Sequence, residues 1–238
     1  GPGNDTDHDD AETLTAAGTL SLVQKVTDAD GDSASASLDL SSGVFRIEDD
    51  GPTAEVIEET AAAIVLDESP LASDGIASAT ADYSGNFAAT PDFGTDGEGS
   101  VSYALALSAG GIGSGLYALG IDGAQGAEIV LDQDPVTGVV TGSAGGTDYF
   151  TISVDGDGVV SFTQTNNIWH GNDGDHDDAE TLTAAGTLSL VQKVTDADGD
   201  SASASLDLSS GVFRIEDDGP TAEVIEETAA AIVLDESP

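Results

Sequence analysis

Three aspartates alternate with small residues in Asp28-Ala29-Asp30-Gly31-Asp32, and the string recurs as Asp196-Ala197-Asp198-Gly199-Asp200. Carboxylates at alternate positions of a tight glycine turn can converge on one hard cation. Calcium takes about six to eight oxygen ligands, drawn from carboxylates, carbonyls and water. Further carboxylates crowd neighbouring turns. They are Glu48, Asp49 and Asp50 with their copies Glu216, Asp217 and Asp218; Asp67 and Glu68, with Asp235 as the copy of Asp67; Asp155 and Asp157; and Asp173, Asp175, Asp177 and Asp178. Asp and Gly are also ordinary hairpin-turn residues, so one such cluster carries little weight. So many together point to bound Ca2+, several ions per repeat, with these carboxylates as its ligands.

Two familiar calcium motifs do not fit. Counted from Asp28, the glycine falls at position four and Asp39 at twelve, where an EF-hand loop needs Gly at about position six and Glu at about twelve. The glycine-rich nonapeptide of parallel β-rolls appears only as single echoes such as Gly171-Asn172-Asp173-Gly174. Catalytic signals are absent: there is no nucleophile elbow, no phosphate-binding glycine loop and no cysteine, and paired carboxylates are too abundant to be diagnostic. The sequence therefore reads as a non-enzyme. His8 and His176 are repeat copies in an acidic run, which suits either a ligand or a solvated loop. Trp169, next to His170, is a candidate for stacking on a sugar, with Tyr103, Tyr117 and Tyr149 as further candidates, although such residues more often serve packing.

Charge narrows the partners. The chain carries 46 acidic residues against four basic ones, a net charge of −42 over 238 residues. Self-repulsion at this density opposes a compact state unless cations neutralise part of it. Nucleic acid and anionic membranes need Lys and Arg on the protein, and Lys25, Arg46, Lys193 and Arg214 are too few. No apolar run is long enough to insert in a membrane. Disorder is the other reading of high charge, but the apolar residues come as short alternating runs bounded by Gly, Asp and Asn, as strands do. With no cysteine, neither disulfides nor thiolate metal sites are available.

What must position the acidic turns is a repeat. Residues 7–70 and 175–238 are identical, an offset of 168 residues (175 minus 7). Glu48-Asp49-Asp50-Gly51-Pro52 and its copy punctuate the array, giving a frame in which residues 1–52 close a preceding repeat, 53–220 form one complete repeat and 221–238 open the next. Residues 71–170 are the single-copy middle. Ala34, Ala36, Leu38 and Leu40 alternate with polar residues, and Val101, Tyr103, Leu105 and Leu107 alternate with Ser102, Ala104 and Ala106. Phe150, Ile152 and Val154 lead through Asp155-Gly156-Asp157-Gly158 into Val159–Phe162, a hairpin pattern. Glu58–Ala63 has the composition of a single helical turn. The fold class is all-β: an antiparallel, Ig-like or cadherin-like β-sandwich in a tandem repeat array.

Val26-Thr27-Asp28-Ala29-Asp30-Gly31-Asp32-Ser33-Ala34-Ser35-Ala36, followed by Val44-Phe45-Arg46-Ile47-Glu48-Asp49-Asp50-Gly51-Pro52, resembles the extender repeats of giant RTX adhesins exported by type I secretion in Gram-negative bacteria. The resemblance covers the closing third of the repeat and, less fully, Val65–Ser69. It implies Ig-like sandwiches strung end to end on an extracellular, cell-surface rod that projects a terminal binding domain in adhesion or biofilm formation. Calcium would sit in and between domains, and Asp28, Asp30, Asp32, Asp49, Asp50 and their copies would be ligands. The partners expected are neighbouring repeats of the same chain, with end-to-end complementation between fragments. Two other readings stand beside this one: a carbohydrate- or surface-binding module centred on Trp169, and a halophile surface whose acidity binds no specific ion.

Overall fold

The computed structural model describes residues 11–16, 18–48, 50–69, 75–172, 174–175, 177–184 and 186–219. Among them the chain forms sixteen β-strands, two short 3-10 turns and no α-helix. The leading copy of the repeat gives β1 (Ala11–Thr15), β2 (Ser21–Thr27), β3 (Ser33–Asp39) and β4 (Ser42–Glu48). Next come β5 (Ile64–Asp67) and β6 (Ser78–Asp82), then β7 (Glu98–Leu107), β8 (Ile112–Leu119), β9 (Gln125–Gln133), β10 (Val140–Ala144), β11 (Thr147–Val154) and β12 (Val159–Gln164). The second copy closes the fold with β13 (Ala179–Thr181), β14 (Leu188–Asp196), β15 (Ser201–Asp207) and β16 (Phe213–Glu216).

A six-stranded antiparallel sheet, ordered β6-β12-β11-β10-β9-β8, supplies one layer. Two three-stranded sheets, β13-β16-β5 and β15-β14-β7, supply the other. Their inner faces meet in one core that includes Leu116, Ile129, Leu131, Phe150, Ile152 and Phe162 from the first layer and Leu66, Leu190, Leu206, Phe213 and Ile215 from the second. Phe162 joins the layers, edge-on to Phe150 at 5.4 Å and to Phe213 at 5.1 Å. The fold is thus the all-β sandwich that the alternating sequence dictates. Burial along β14 alternates strictly at Leu188, Leu190, Gln192, Val194 and Asp196, the period of two expected when one face is covered. The hairpin read from Phe150–Phe162 is the β11–β12 pair.

Two features depart from the reading. β5 runs parallel to β16, with Ile64 opposite Phe213 and Asp67 opposite Glu216, so the sandwich is not wholly antiparallel. The segment between Glu58 and Ala63 forms no helical turn. The buried Asn86 amide donates to the carbonyls of Glu58 and Thr60 at 2.8 and 3.2 Å, and Tyr83 Oη donates to Ala62 O at 2.6 Å. These bonds satisfy the carbonyls externally, so an intrahelical ladder has nothing to add.

The leading copy forms two separate ribbons, β1–β4 and β2–β3. Its strands repeat the sequence of β13–β16, but their apolar residues are exposed: Leu22 60%, Val26 60% and Ile47 78%. No helix among the described residues is long and apolar enough to cross a membrane.

Candidate functional site

The two Asp-rich turns share a backbone and differ in surroundings. In the leading copy, Asp28 Oδ1 accepts the N–H groups of Gly31 and Asp32 at 3.1 and 2.9 Å. The Asp28, Asp30 and Asp32 carboxylates converge with ligand atoms within 4.8 Å of one another, all exposed. The Asp28 carboxyl lies below its usual range, first through hydrogen bonding with Asp30 and then through the backbone N–H groups of the turn. In the second copy, Asp196 Oδ1 likewise accepts the N–H groups of Gly199 and Asp200, at 3.0 and 2.8 Å. Asp196, however, is only 4% exposed, and its Oδ2 is buried with no hydrogen-bond partner.

The carboxylates that converge here are those of Asp96, Asp196 and Asp198, rather than the three aspartates of one turn. A bulge between Thr195 and Asp196 sets Asp196 opposite Glu98, and Ala197 N–H donates to Gly97 O at 3.1 Å. A Cβ at Gly99 would stand 2.2 Å from Asp196 O, so only glycine lets the strands approach this closely. The single-copy loop thereby delivers Asp96. Its sequence signal is the acidic, glycine-rich run Asp92–Glu98, which carries the same turn chemistry as the repeated clusters. Asp200 is also buried, 7% exposed.

A second cluster forms where three strand ends meet. Parallel β5 and β16 finish together at Asp67-Glu68 and Glu216-Asp217, and antiparallel β13 begins there after Asp178. Glu68 N–H donates to Glu216 O and Asp217 N–H to Asp178 O, each at 3.0 Å. Burial first, then the charges of Asp177 and Asp67, push the Glu216 carboxyl above its ordinary value. Into this end comes His170, from the loop after the bridge between Ala118 and Ile168. Its Nε2 lies 3.8 Å from Glu68 Oε2 and its Nδ1 3.8 Å from Asp178 Oδ1. Burial disfavours the charged ring, but Glu68, Asp217 and Asp178 outweigh it and raise the His170 pKa. His170 thus brings ligand atoms within 4.8 Å of those of Glu68 and Asp217 in one group and of Asp178 and Glu180 in another. His170 and Glu180 were not read as ligands from sequence, because neither belongs to an Asp-Gly turn.

Asp155 and Asp175, and Asp67 and Asp217 of the second cluster, bind the backbone of their own turns. Asp155 Oδ1 caps its own hairpin by accepting the N–H groups of Asp157 and Val159, both at 3.0 Å. Asp175 caps the turn before β13 by accepting the Asp177 N–H at 3.4 Å. Asp67 Oδ1 accepts the Ser69 N–H at 2.8 Å, and Asp217 Oδ1 the Asp218 N–H at 2.8 Å. Glu48 ends β4 opposite Ala11, and Asp50 O accepts the Thr95 N–H at 3.3 Å. Asp49, Asp173, Asp235, His8 and His176 lie outside the described residues. Trp169 packs edge-on against Tyr117, ring centroids 6.4 Å apart, and Tyr103 packs edge-on against Phe87 at 5.7 Å. Tyr149 packs against the core.

A family model described as a domain of unknown function (DUF5801) matches residues 2–41 and 63–209. The two matched stretches stop at Ser41 and Ser209, one position in the two copies. No curated protein and no solved structure matches the chain.

Proposed function

The chain belongs to the DUF5801 family of domains of unknown function, and we propose that it serves as a calcium-stabilised extender repeat of a bacterial surface adhesin, a structural rather than catalytic unit. The observation that carries this reading is the Asp196 Oδ2 atom, buried without a hydrogen-bond partner beside the carboxylates of Asp96 and Asp198. A buried anionic oxygen without a partner is costly, and further anions beside it raise the cost. One divalent cation among the three reverses both terms. Asp96, Asp196 and Asp198 would hold Ca2+, whose role is to pin the single-copy loop before β7 onto the turn between β14 and β15. The resemblance of the repeat to RTX adhesin extenders supplies the wider reading: an extracellular rod, secreted by type I export, that folds on meeting calcium outside the cell.

Ligand binding to the folded state alone stabilises it by an amount set by concentration over dissociation constant, about 2.7 kcal/mol at 100-fold excess. Extracellular calcium modules bind at about 10⁻⁴ to 10⁻³ M. The melting temperature should therefore rise from EDTA to ~10 mM calcium chloride, and by more than in sodium chloride of equal ionic strength. An unchanged melting temperature sinks the reading, and equal rises in the two salts favour the halophile surface.

A groove of about 500 Å³ lined by Ser84, Tyr103, Asp157 and Gln192 among others favours a second reading, a carbohydrate-binding module. Glycan-array binding that is lost on Tyr103→Ala would support it.

A further inference from the structure

His170 is buried, its side chain 6% exposed, and it makes no hydrogen bond through either ring nitrogen, Nδ1 or Nε2. The two nearest carboxylate oxygens, Glu68 Oε2 and Asp178 Oδ1, each stand 3.8 Å from a ring nitrogen, beyond hydrogen-bond reach. Asp178 Oδ1 is itself buried without a partner. The backbone on either side of it is held in place, since Trp169 N–H donates to Tyr117 O at 2.8 Å and Gly171 N–H to Glu180 Oε1 at 3.2 Å.

The spacing suits two donors that share one metal ion. Donors each about 2.0 to 2.2 Å from one metal ion, in tetrahedral arrangement, lie roughly 3.5 Å apart. Glu68, His170 and Asp217 bring ligand atoms within 4.8 Å of one another. Glu68 is set for the task. Its Oε1 accepts the Ile168 N–H at 2.8 Å and the Gln164 amide, which leaves Oε2 to face the imidazole. On the other side of the ring, Asp178 Oδ1 faces Nδ1 at 3.8 Å and would orient the ring once a metal holds Nε2, the usual second partner of a metal-bound histidine.

We propose that Glu68, His170 Nε2 and Asp217 form a site for a first-row divalent transition metal of the Zn2+ class, with Asp178 as its orienting partner. The nitrogen donor sets the class: calcium takes oxygen ligands, whereas imidazole with carboxylates suits zinc and its neighbours. Such an ion would tie the ends of β5 and β16 to the single-copy loop. The site shares no residue with the Asp96, Asp196 and Asp198 cluster and does not depend on the calcium reading. The repeat offset places Pro2 where a leading-copy counterpart of His170 would stand, so one ion per chain is expected.

The test uses the full chain, stripped of metal and returned to millimolar calcium, then titrated with Co2+ and Zn2+. One equivalent of Co2+ should bind with visible ligand-field bands and be displaced by Zn2+. His170→Gln should lose this binding, Asp178→Asn should weaken it about 10- to 100-fold, and the His8→Ala, His176→Ala double variant should keep it. In the unmodified chain, nitrogen-15 NMR should show Zn2+ shifting the His170 ring signals and not those of His8 or His176, which covers the case of a variant that fails to fold. No binding in calcium, equal binding in a folded His170→Gln, or unmoved His170 signals would overturn the proposal. Calcium-dependent melting should persist in His170→Gln, so the two metal readings fail separately.

Discussion

Phe45 and Phe213 occupy one position in two copies of an identical sequence, yet Phe213 is fully buried while Phe45 is 48% exposed. The same split separates Val26 from Val194 and Leu38 from Leu206. What differs is the partner: among the described residues β14 and β16 pair with β7 and β5, and Phe213 meets Phe162 at 5.1 Å, whereas β1–β4 pair only with one another. Phe213→Ala should therefore cost about 3 to 5 kcal/mol, and Phe45→Ala about 0.5 kcal/mol or less. Urea unfolding followed by Trp169 fluorescence measures both. The opposite ranking would mean that the leading copy closes the sandwich, an exchange the identical sequences permit.

Asp196 should show opposite signs with and without calcium. Asp196→Asn keeps an oxygen for the Gly199 and Asp200 N–H groups but removes a buried charge beside Asp96 and Asp198. In chelator, stability should hold or rise because a repulsion is gone. In ~10 mM calcium the variant should lose most of the ion's contribution, about 1.4 to 2.7 kcal/mol at the affinity of extracellular modules. Asp28→Asn, at the exposed copy of this turn, should change stability by about 0.5 kcal/mol or less. A loss at Asp196 that is the same in both buffers contradicts an ion at this place.

Tyr83 gives an alkaline limit. Its ring is 1% exposed, and burial raises the phenol pKa far above its ordinary value while Oη donates to Ala62 O. In the unfolded chain this phenol ionises near pH 10. Above that pH the unfolded state releases a proton that the folded state keeps, so stability that is complete below pH ~10 declines as pH rises further. Denaturation midpoints measured from neutral pH upward should fall above that point, and Tyr83→Phe should flatten the fall while costing about 1 kcal/mol or more at neutral pH through the unpaired Ala62 carbonyl. An equally steep fall in the variant would place the alkaline sensitivity elsewhere.

The strands were legible because a half-covered sheet writes its face into the sequence at a period of two, as Leu188, Leu190 and Val194 show. The acidic turns were legible because Asp-x-Asp-Gly is local. The parallel pairing of β5 with β16 was not, since residues 149 positions apart, such as Ile64 and Phe213, leave no short-range trace of their direction. Both metal candidates were half-legible for the same reason. Asp196 and Asp198 stand out in the repeat, as do Glu68 and Asp217, but Asp96 and His170 reach these clusters only through the fold of the single-copy segment.

The parallel pair also predicts how molecules meet. Arg214 stands opposite Val65 in the β16–β5 register, and the repeat makes Arg46 and Val233 the same two residues. Among the described residues β4 pairs with β1 alone, so one of its edges is open to a copy of β5. Residues 232–235 of another molecule supply that sequence, although they lie outside the described residues. Neighbouring strands run about 4.8 Å apart, within the Cα separations of about 4.4 to 6.8 Å that a disulfide bridges. The chain has no cysteine to interfere. Arg46→Cys protein mixed with Val233→Cys protein under mild oxidation should give the mixed dimer well above either homodimer on a non-reducing gel. Statistical amounts of all three dimers would mean that random collision, rather than strand addition at β4, brings the molecules together.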